Sequence, residues 1–393
     1  MLPAESSTPA IVWCMDSPGF GGSEVSLMRV MKMVENMESV VLHGPVVCAE
    51  FSEFCHKHFF AMHVQSVSSP NPNSSKFALA GLGEANRWLK RFPRALFVIW
   101  AHHSDTQRWL QLALAWKRRT FVLCELLVPA TREDFKTSRL SLPIKRFVAK
   151  RATCVVLNGT SQVEHYRNLF NVPKAKVQVI CNSRPIRKIN ARAQELRAGG
   201  PALRKSLDLP EGPLIVCVAR LVAQKNQTCL IEALSMLQTS GEPRPLLVLV
   251  GDGPDLEALK SQADRQLPGQ VFFAGHQSDH FPWLAAADIF VLPSLFEGLP
   301  GAIIEAQASE IPCIATDIPG NRELVRDGET GLSVPVKDAP ALALAIHRLL
   351  SNKPLSCRLA LAGFELVARD YDEVREKSAW NVLVRNVLAG ANL

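Results

Sequence analysis

Two carboxylates and two cations frame the chemistry open to this chain. Glu297 and Glu305 stand eight positions apart in SLFEGLPGAIIEAQ (294–307), on either side of a Gly-Leu-Pro-Gly turn. On one continuous helix that spacing would stack them on nearly the same face. Pro300 and Gly301 instead end the turn and open a helix, so Glu297 falls in the loop and Glu305 about one turn inside. Carboxylates so separated can meet different parts of one ligand, and each suits vicinal hydroxyls because its oxygens only accept. The amides of Gly301 and Ala302, with the loop Gly298-Leu299-Pro300 before them, are free to cradle a phosphate at the helix start. A helix cap followed by an exposed glutamate is the plainer alternative. Arg220 and Lys225, in VARLVAQKNQTCLIEAL, leave an apolar run for a helix. A guanidinium fork beside an ammonium point charge makes a diphosphate clamp; two solvated surface cations are the alternative.

Other loops have glycines where a ligand could approach the backbone. DSPGFGGSEVSLM places Gly19, Gly21 and Gly22 before a helix opened by Ser23 and Glu24. Such a turn suits phosphate or sugar hydroxyls, but Glu24 stands where a dinucleotide fingerprint has its last glycine. LVGDGPDLEALK turns through Gly251 and Gly253 and reads as structural, with backbone contact to ligand as the further option; VFFAGHQSD puts Gly275 and His276 at a strand end, where backbone contact is the expected role of His276. The one Asp-x-Asp, Asp370-Tyr371-Asp372, joins two helical patterns away from every strand end, and no His/Cys/carboxylate cluster has ligand spacing. No metal or other cofactor is expected, with Arg220 and Lys225 in the place of a divalent ion.

These loops need strands to hold them. Short apolar runs alternate with amphipathic stretches, which predicts βα units and mainly parallel sheets. One series of strands falls at 10–15, 39–43, 96–100, 120–124, 153–157 and 176–181; a second falls at 213–219, 245–250, 270–274, 288–292 and 312–315. A polar, Gly- and Pro-containing stretch near 184–210 separates them, and helices at 338–351, 355–369 and 372–388 close the chain. The α/β reading is two Rossmann-like, doubly wound domains facing across a cleft, with ligand at the carboxyl ends of the strands. The domains are 1–190 and 191–371, and 372–393 closes the chain as a helix.

At 393 residues, 47% hydrophobic and 21% charged, the chain reads as a soluble two-domain enzyme. No apolar run reaches membrane-spanning length, and the first residues lack the charge and apolar pattern of a signal peptide, so a cytoplasmic protein is expected. Ten cysteines without C-x-x-C spacing suit reduced, structural thiols. The net charge of +7 is uneven: residues 1–190 have 25 Lys+Arg against 13 Asp+Glu, and the remainder 19 against 24. Basic residues interleave with Trp and Phe at 87–94, 116–119 and 144–151, which suits an anionic membrane face or acidic acceptor, or simply solvated helix faces. Nucleic acid is not expected, since no binding motif accompanies the charge.

Taken together, the loops resemble the GT-B glycosyltransferases of family 4, a retaining class that uses nucleotide-sugar donors. The resemblance runs through VARLVAQKNQTCLIEAL, LVGDGPDLEAL, VFFAGHQSD and AADIFVLPSLFEGLPGAIIEAQASEIPCIATDIPGNRELVRDGETGLSVPVKD, with Glu297 and Glu305 as the family's paired glutamates. It implies that Arg220 and Lys225 hold the donor diphosphate, that Glu305 binds the ribose hydroxyls, and that Glu297 lies near the sugar with Gly298 to Ala302. It implies that the Gly21-Gly22 loop closes over the donor, that the first domain takes a glycan, lipid-linked or small-molecule acceptor, and that the last helix, 372–393, packs back on that domain. The family's histidine at a middle N-domain strand end is missing from VLCELL, where Glu125 is the polar residue; His102 and His103 follow an earlier strand, and His102 is the better fit. Asn182-Ser183 and Ala219-Arg220 replace the family's Asn-Gly and Gly-Arg. The implied activity is retaining transfer from a nucleoside-diphosphate sugar in cell-surface polysaccharide or glycolipid synthesis, and the basic first domain would hold the protein on the inner face of the cytoplasmic membrane. A catalytically silent sugar-nucleotide-binding subunit and a GT-B epimerase are the alternatives.

Overall fold

A computed structural model describes residues 11–15, 22–34, 39–43, 49–58, 60–63, 75–101, 108–125, 141–237 and 245–390. Gly21, His102 and His103 lie outside the described residues. The chain divides into two compact units, Met1–Cys181 with Glu376–Leu393, and Asn182–Arg375.

The first unit alternates strand and helix: β1 (Ile11–Met15), α1 (Gly22–Met33), β2 (Ser39–His43), α2 (Ala49–His58), β3 (Phe60–His63), α3 (Ser75–Arg91), β4 (Leu96–Ala101), α4 (Arg108–Trp116), β5 (Phe121–Glu125), α5 (Ser141–Arg151), β6 (Cys154–Leu157), α6 (Val163–Phe170) and β7 (Val177–Val179). The strands form one parallel sheet in the order β3-β2-β1-β4-β5-β6-β7. Successive side chains of a strand point to opposite faces, so each strand serves two cores. Val12, Cys14, Phe97 and Ile99 pack with Leu89, Leu114 and Tyr166 on one side, while Ile11, Trp13, Met15 and Val98 pack with Leu27 and Val30 on the other. Burial on both faces explains why these strands read as unbroken apolar runs.

The second unit contains α7 (Ile186–Ala198), α8 (Pro201–Ser206), β8 (Leu214–Val218), α9 (Gln227–Ser235), β9 (Leu246–Val250), α10 (Leu256–Gln266), β10 (Val271–Gly275), α11 (Phe281–Ala286), β11 (Ile289–Leu292), α12 (Gly301–Ala308), β12 (Cys313–Thr316), α13 (Pro319–Arg322), β13 (Leu332–Val334), α14 (Ala339–Ser351) and α15 (Lys353–Asp370). Its parallel sheet runs β10-β9-β8-β11-β12-β13. Strand order reverses beside β8, so the loops after β8 and β11 leave neighbouring strands in different directions, the arrangement that opens a ligand crevice in this class of sheet.

Where the chain enters and leaves the second unit, its two ends are bonded together. Arg184 N donates to the Tyr371 carbonyl at 3.0 Å and Glu373 N to the Arg184 carbonyl at 3.0 Å. The last helix, α16 (Glu373–Leu388), then places Trp380, Leu383, Val384 and Val387 in the second core of the first unit. Trp380 meets Trp13 edge-on at 6.3 Å and Trp100 at 5.9 Å between ring centres. Ile186 and Ile189 of α7 are buried within the second unit, and this draws residues from 182 onward into that unit, ahead of position 190.

Two edge strands go beyond the strands expected from sequence. β3 and β13 have four and three residues, too few to show a period.

Candidate active site

The site is built on loops at the carboxyl ends of the second sheet. After β8 the chain makes a single 3-10 turn, Ala223–Lys225, ending at Asn226 in the left-handed region (φ 54°). Asparagine tolerates that conformation better than most residues. The turn is tied to the loop after β11: Leu295 N donates to the Gln224 carbonyl at 2.8 Å, Gln224 Nε2 to the Phe296 carbonyl at 2.8 Å, and Asn226 Nδ2 to the Pro293 carbonyl at 3.3 Å. These bonds bring Lys225 Nζ to 2.5 Å from Glu297 Oε1, with the side chains only 16% and 9% exposed. Ser294 Oγ donates to the same oxygen at 2.6 Å. Behind it Thr316 Oγ1 donates to the Ser294 carbonyl at 2.5 Å, and Asn321 Nδ2 to the Thr316 carbonyl at 2.9 Å. Glu297 therefore ends a buried polar chain and is not a lone loop carboxylate.

Arg220 stands on the same loop and differs from Lys225. It is exposed, and among the described residues its guanidinium has no ion-pair or hydrogen-bond partner. Its backbone is fixed: Gln227 Nε2 donates to the Arg220 carbonyl at 2.9 Å, and Leu221 N donates to the Asp252 carbonyl at 2.9 Å. Gly251 allows this approach. Its φ is +142°, and a Cβ there would lie 2.0 Å from the Ala219 carbonyl oxygen. Gly251 thus seats the Arg220 loop by close packing, in keeping with the structural reading of its turn. His276, just past β10, is exposed.

Glu305, in the first turns of α12, is held on both oxygens. Arg184 Nε lies 2.5 Å from Oε1 and His280 Nε2 lies 2.9 Å from Oε2, with the Glu305 side chain 13% exposed. Burial alone would raise its pKa, but the Arg184 charge and the His280 hydrogen bond outweigh this and lower it to about 2. Arg184 Nη1 donates to the Ser183 carbonyl at 2.9 Å. Its Nη2 lies against Gly301, where a Cβ would come within 2.0 Å. His280 stacks on Phe281 at 4.9 Å between ring centres, and Arg192 of α7 covers the Phe281 ring and pairs with Asp279. Leu299 and Pro300 are buried and Gly298, Gly301 and Ala302 half-buried, so the helix start is lined by backbone.

Sequence reasoning missed Arg184 and His280. The available signal was that both sit at loop ends feeding helices, Arg184 before α7 and His280 before α11.

In the first unit, Gly22 begins α1. Glu125 ends β5 and is buried with Lys145 Nζ at 3.4 Å and the Tyr166 hydroxyl donating to it at 3.5 Å. Burial raises its pKa, with Lys145 and Tyr166 opposing. Glu125 is thus engaged inside the unit with two residues that no motif joins to it. Among the described residues no group of three or more His, Cys, Asp or Glu side chains is placed to hold a metal ion, and no helix is long and apolar enough to cross a membrane.

The chain matches the family described as "Glycosyl transferases group 1" over residues 212–352, the stretch containing Arg220, Lys225, Glu297 and Glu305. The lipopolysaccharide core biosynthesis glycosyltransferase LpsE of Rhizobium meliloti is 31% identical over 281 residues, covering 71% of this chain and 76% of that protein. The UDP-Gal:alpha-D-GlcNAc-diphosphoundecaprenol alpha-1,3-galactosyltransferase of Escherichia coli is 31% identical over 240 residues, 58% of this chain and 61% of that protein, or less than two thirds of its length. The fold is that of HepE from Anabaena, solved in complex with UDP and glucose, with a TM-score of 0.77 at 20% identity over 96% of this chain and 99% of that one. The chain belongs to the group 1 glycosyltransferases and has their GT-B fold.

Proposed function

We propose that the protein is a retaining, metal-independent glycosyltransferase that takes a nucleoside-diphosphate sugar on its second unit and passes the sugar to a glycan or lipid-linked acceptor. The observation that carries this reading is the division of labour among the loop residues. Arg220 has a guanidinium free for an anion, Lys225 is set against Glu297, and Glu305 is ionised at the start of α12. UDP and glucose bound to HepE support the donor class. The names of LpsE and the galactosyltransferase support an acceptor in lipopolysaccharide or undecaprenol-linked glycan synthesis.

The chemical task is to break the bond between the sugar C1 and the phosphate oxygen. Negative charge grows on the departing diphosphate, and Arg220, Lys225 and the first amides of α12 stabilise it. Lys225 acts while shared with Glu297, which fixes the ammonium and then offers its other oxygen to a sugar hydroxyl. Glu305 binds the ribose diol. Both glutamates orient and neither needs to transfer a proton. In a same-face mechanism the leaving phosphate takes the acceptor proton, so a flanking pair of catalytic carboxylates of the glycosidase kind is not required.

The acceptor side belongs to the first unit, with His102, His103 and Glu125 as its sequence candidates. A peripheral position on an anionic membrane is supported by Lys90, Arg91 and Arg94 at the end of α3, Trp116 (81% exposed), Lys117 and Arg118 at the end of α4, and Lys150 and Arg151 in the last turn of α5. These helices join parallel strands and run against them, so their carboxyl ends gather at the amino ends of the strands. Within 144–151 the outward charge narrows to Lys150 and Arg151, because Lys145 pairs with Glu125 and Arg146 Nε donates to the Leu169 carbonyl at 2.9 Å.

Proton NMR of the product tests the reaction. The anomeric configuration of the transferred sugar should match that of the donor, with the rate unchanged by chelator. An inverted anomer, or a strict need for a divalent ion, contradicts the mechanism. Trp116→Ser with Arg118→Glu should release the protein from anionic vesicles; unchanged binding removes that face from the account.

A further inference from the structure

Glu305 is the acceptor of a two-sided clamp, and one half of it, Arg184, comes from outside residues 212–352 that match the family. Arg184 approaches Oε1 from the segment where the chain enters the second unit, and His280 approaches Oε2 from the residue before α11. Neither is a solvated side chain: the two are 16% and 21% exposed. Arg184 is held along its whole length, by backbone bonds to Tyr371 and Glu373, by Nη1 on the Ser183 carbonyl, and by packing of Nη2 against Gly301. His280 is held by its stack on Phe281, which Arg192 covers.

We propose that Arg184 and His280 are positioning residues of the donor site, which aim the Glu305 carboxylate at the ribose diol. The proposal rests on the donor reading above. A carboxylate oxygen accepts in two directions. Arg184 occupies one on Oε1 and His280 one on Oε2, which leaves one on each oxygen, the pair that two adjacent hydroxyls require. A glutamate with neither partner would have to be ordered by the ligand itself, at a cost in affinity. Both partners act through Glu305, so their effect depends on the ribose hydroxyls and not on the phosphates.

Calorimetric titration of the full chain with UDP, GDP and ADP, followed by the 2′,3′-dideoxy analogue of whichever binds most tightly, tests this. Arg184→Gln and His280→Gln should each weaken the natural diphosphate by roughly tenfold, the scale of one charge-assisted hydrogen bond, and Arg184→Lys by less. The dideoxy analogue should bind wild type and variants alike. Equal weakening for both nucleotides, no weakening, or tighter binding by Arg184→Gln overturns the proposal; the last would mean that Arg184 blocks Glu305. If wild type binds none of the three diphosphates, the donor reading falls and the proposal with it. If wild type binds but Glu305→Gln costs nothing, nucleotide binding stands and the clamp has no target. Circular dichroism checks folding, and the two clamp residues provide independent variants.

Discussion

Replacing Lys225 by methionine should damage the fold as well as the chemistry. Its ammonium is 2.5 Å from Glu297 Oε1, and the two side chains are 16% and 9% exposed. Without it, a nearly buried carboxylate keeps, among the described residues, only the Ser294 hydroxyl at 2.6 Å. Removing one partner of a fully buried pair costs about 3–5 kcal/mol, and the residual exposure here lowers the expectation to about 2–4 kcal/mol. Lys225→Met with Glu297→Gln removes the stranded charge while keeping an acceptor for Ser294, and should regain at least about 1.5 kcal/mol, the coupling of two residues in contact. Native-state hydrogen exchange at the amides of β8 and β11 is the suitable assay, because it reads the opening of the second unit without requiring the whole chain to unfold in one step. Turnover should be lost in both variants, so the double variant separates the role in chemistry from the role in stability. A single variant within about 0.5 kcal/mol of wild type, or a double variant no more stable than the single, would refute the reasoning.

Arg220→Ala should do the opposite, with stability within about 0.5 kcal/mol of wild type and donor turnover down by roughly 100-fold or more, measured by thermal unfolding and nucleotide release. Glu305 makes a pH prediction. Its folded pKa, about 2, lies below the ordinary 4.5, so its contribution is fully present above that ordinary value and lost as pH falls toward 2. The stability difference between wild type and Glu305→Gln should therefore shrink by on the order of 3 kcal/mol from pH 6 to pH 2, followed by urea unfolding. Gly251→Ala should destabilise by about 1–3 kcal/mol and lower donor affinity through the Arg220 loop, since φ is +142° and the Ala219 carbonyl fills the Cβ position. Normal affinity in that variant would detach Gly251 from the site.

The candidate site stood out in the sequence because its residue types conflict with their surroundings. Arg220, Lys225 and Glu297 follow apolar strand runs and Glu305 interrupts an apolar helix, where burial alone would favour none of them. What could not be read was the pairing. Arg184 and Glu305 are 121 positions apart, and Arg184 sits in a stretch whose polarity reads as a linker. His280 lies four residues beyond His276, and nothing in composition says which of the two turns inward. The basic run at 144–151 read as surface, for a membrane, an acceptor or solvent, yet Lys145 is buried against Glu125, because which face of α5 meets the sheet is decided by packing. The reading of Glu297 changed in kind. It is the end of a buried chain through Ser294 and Thr316 that holds Lys225 in place, a function no local pattern shows.

In the proposed function the second unit binds a nucleoside-diphosphate sugar through Arg220, Lys225 and Glu305 and activates its leaving group. Release of nucleoside diphosphate from a panel of UDP-, GDP- and ADP-sugars, without acceptor, isolates this step. Wild type should slowly hydrolyse at least one donor, and Arg220→Ala and Glu305→Ala, both folded, should lose that release. Equal release by the folded variants, or none by wild type from any donor, would contradict it.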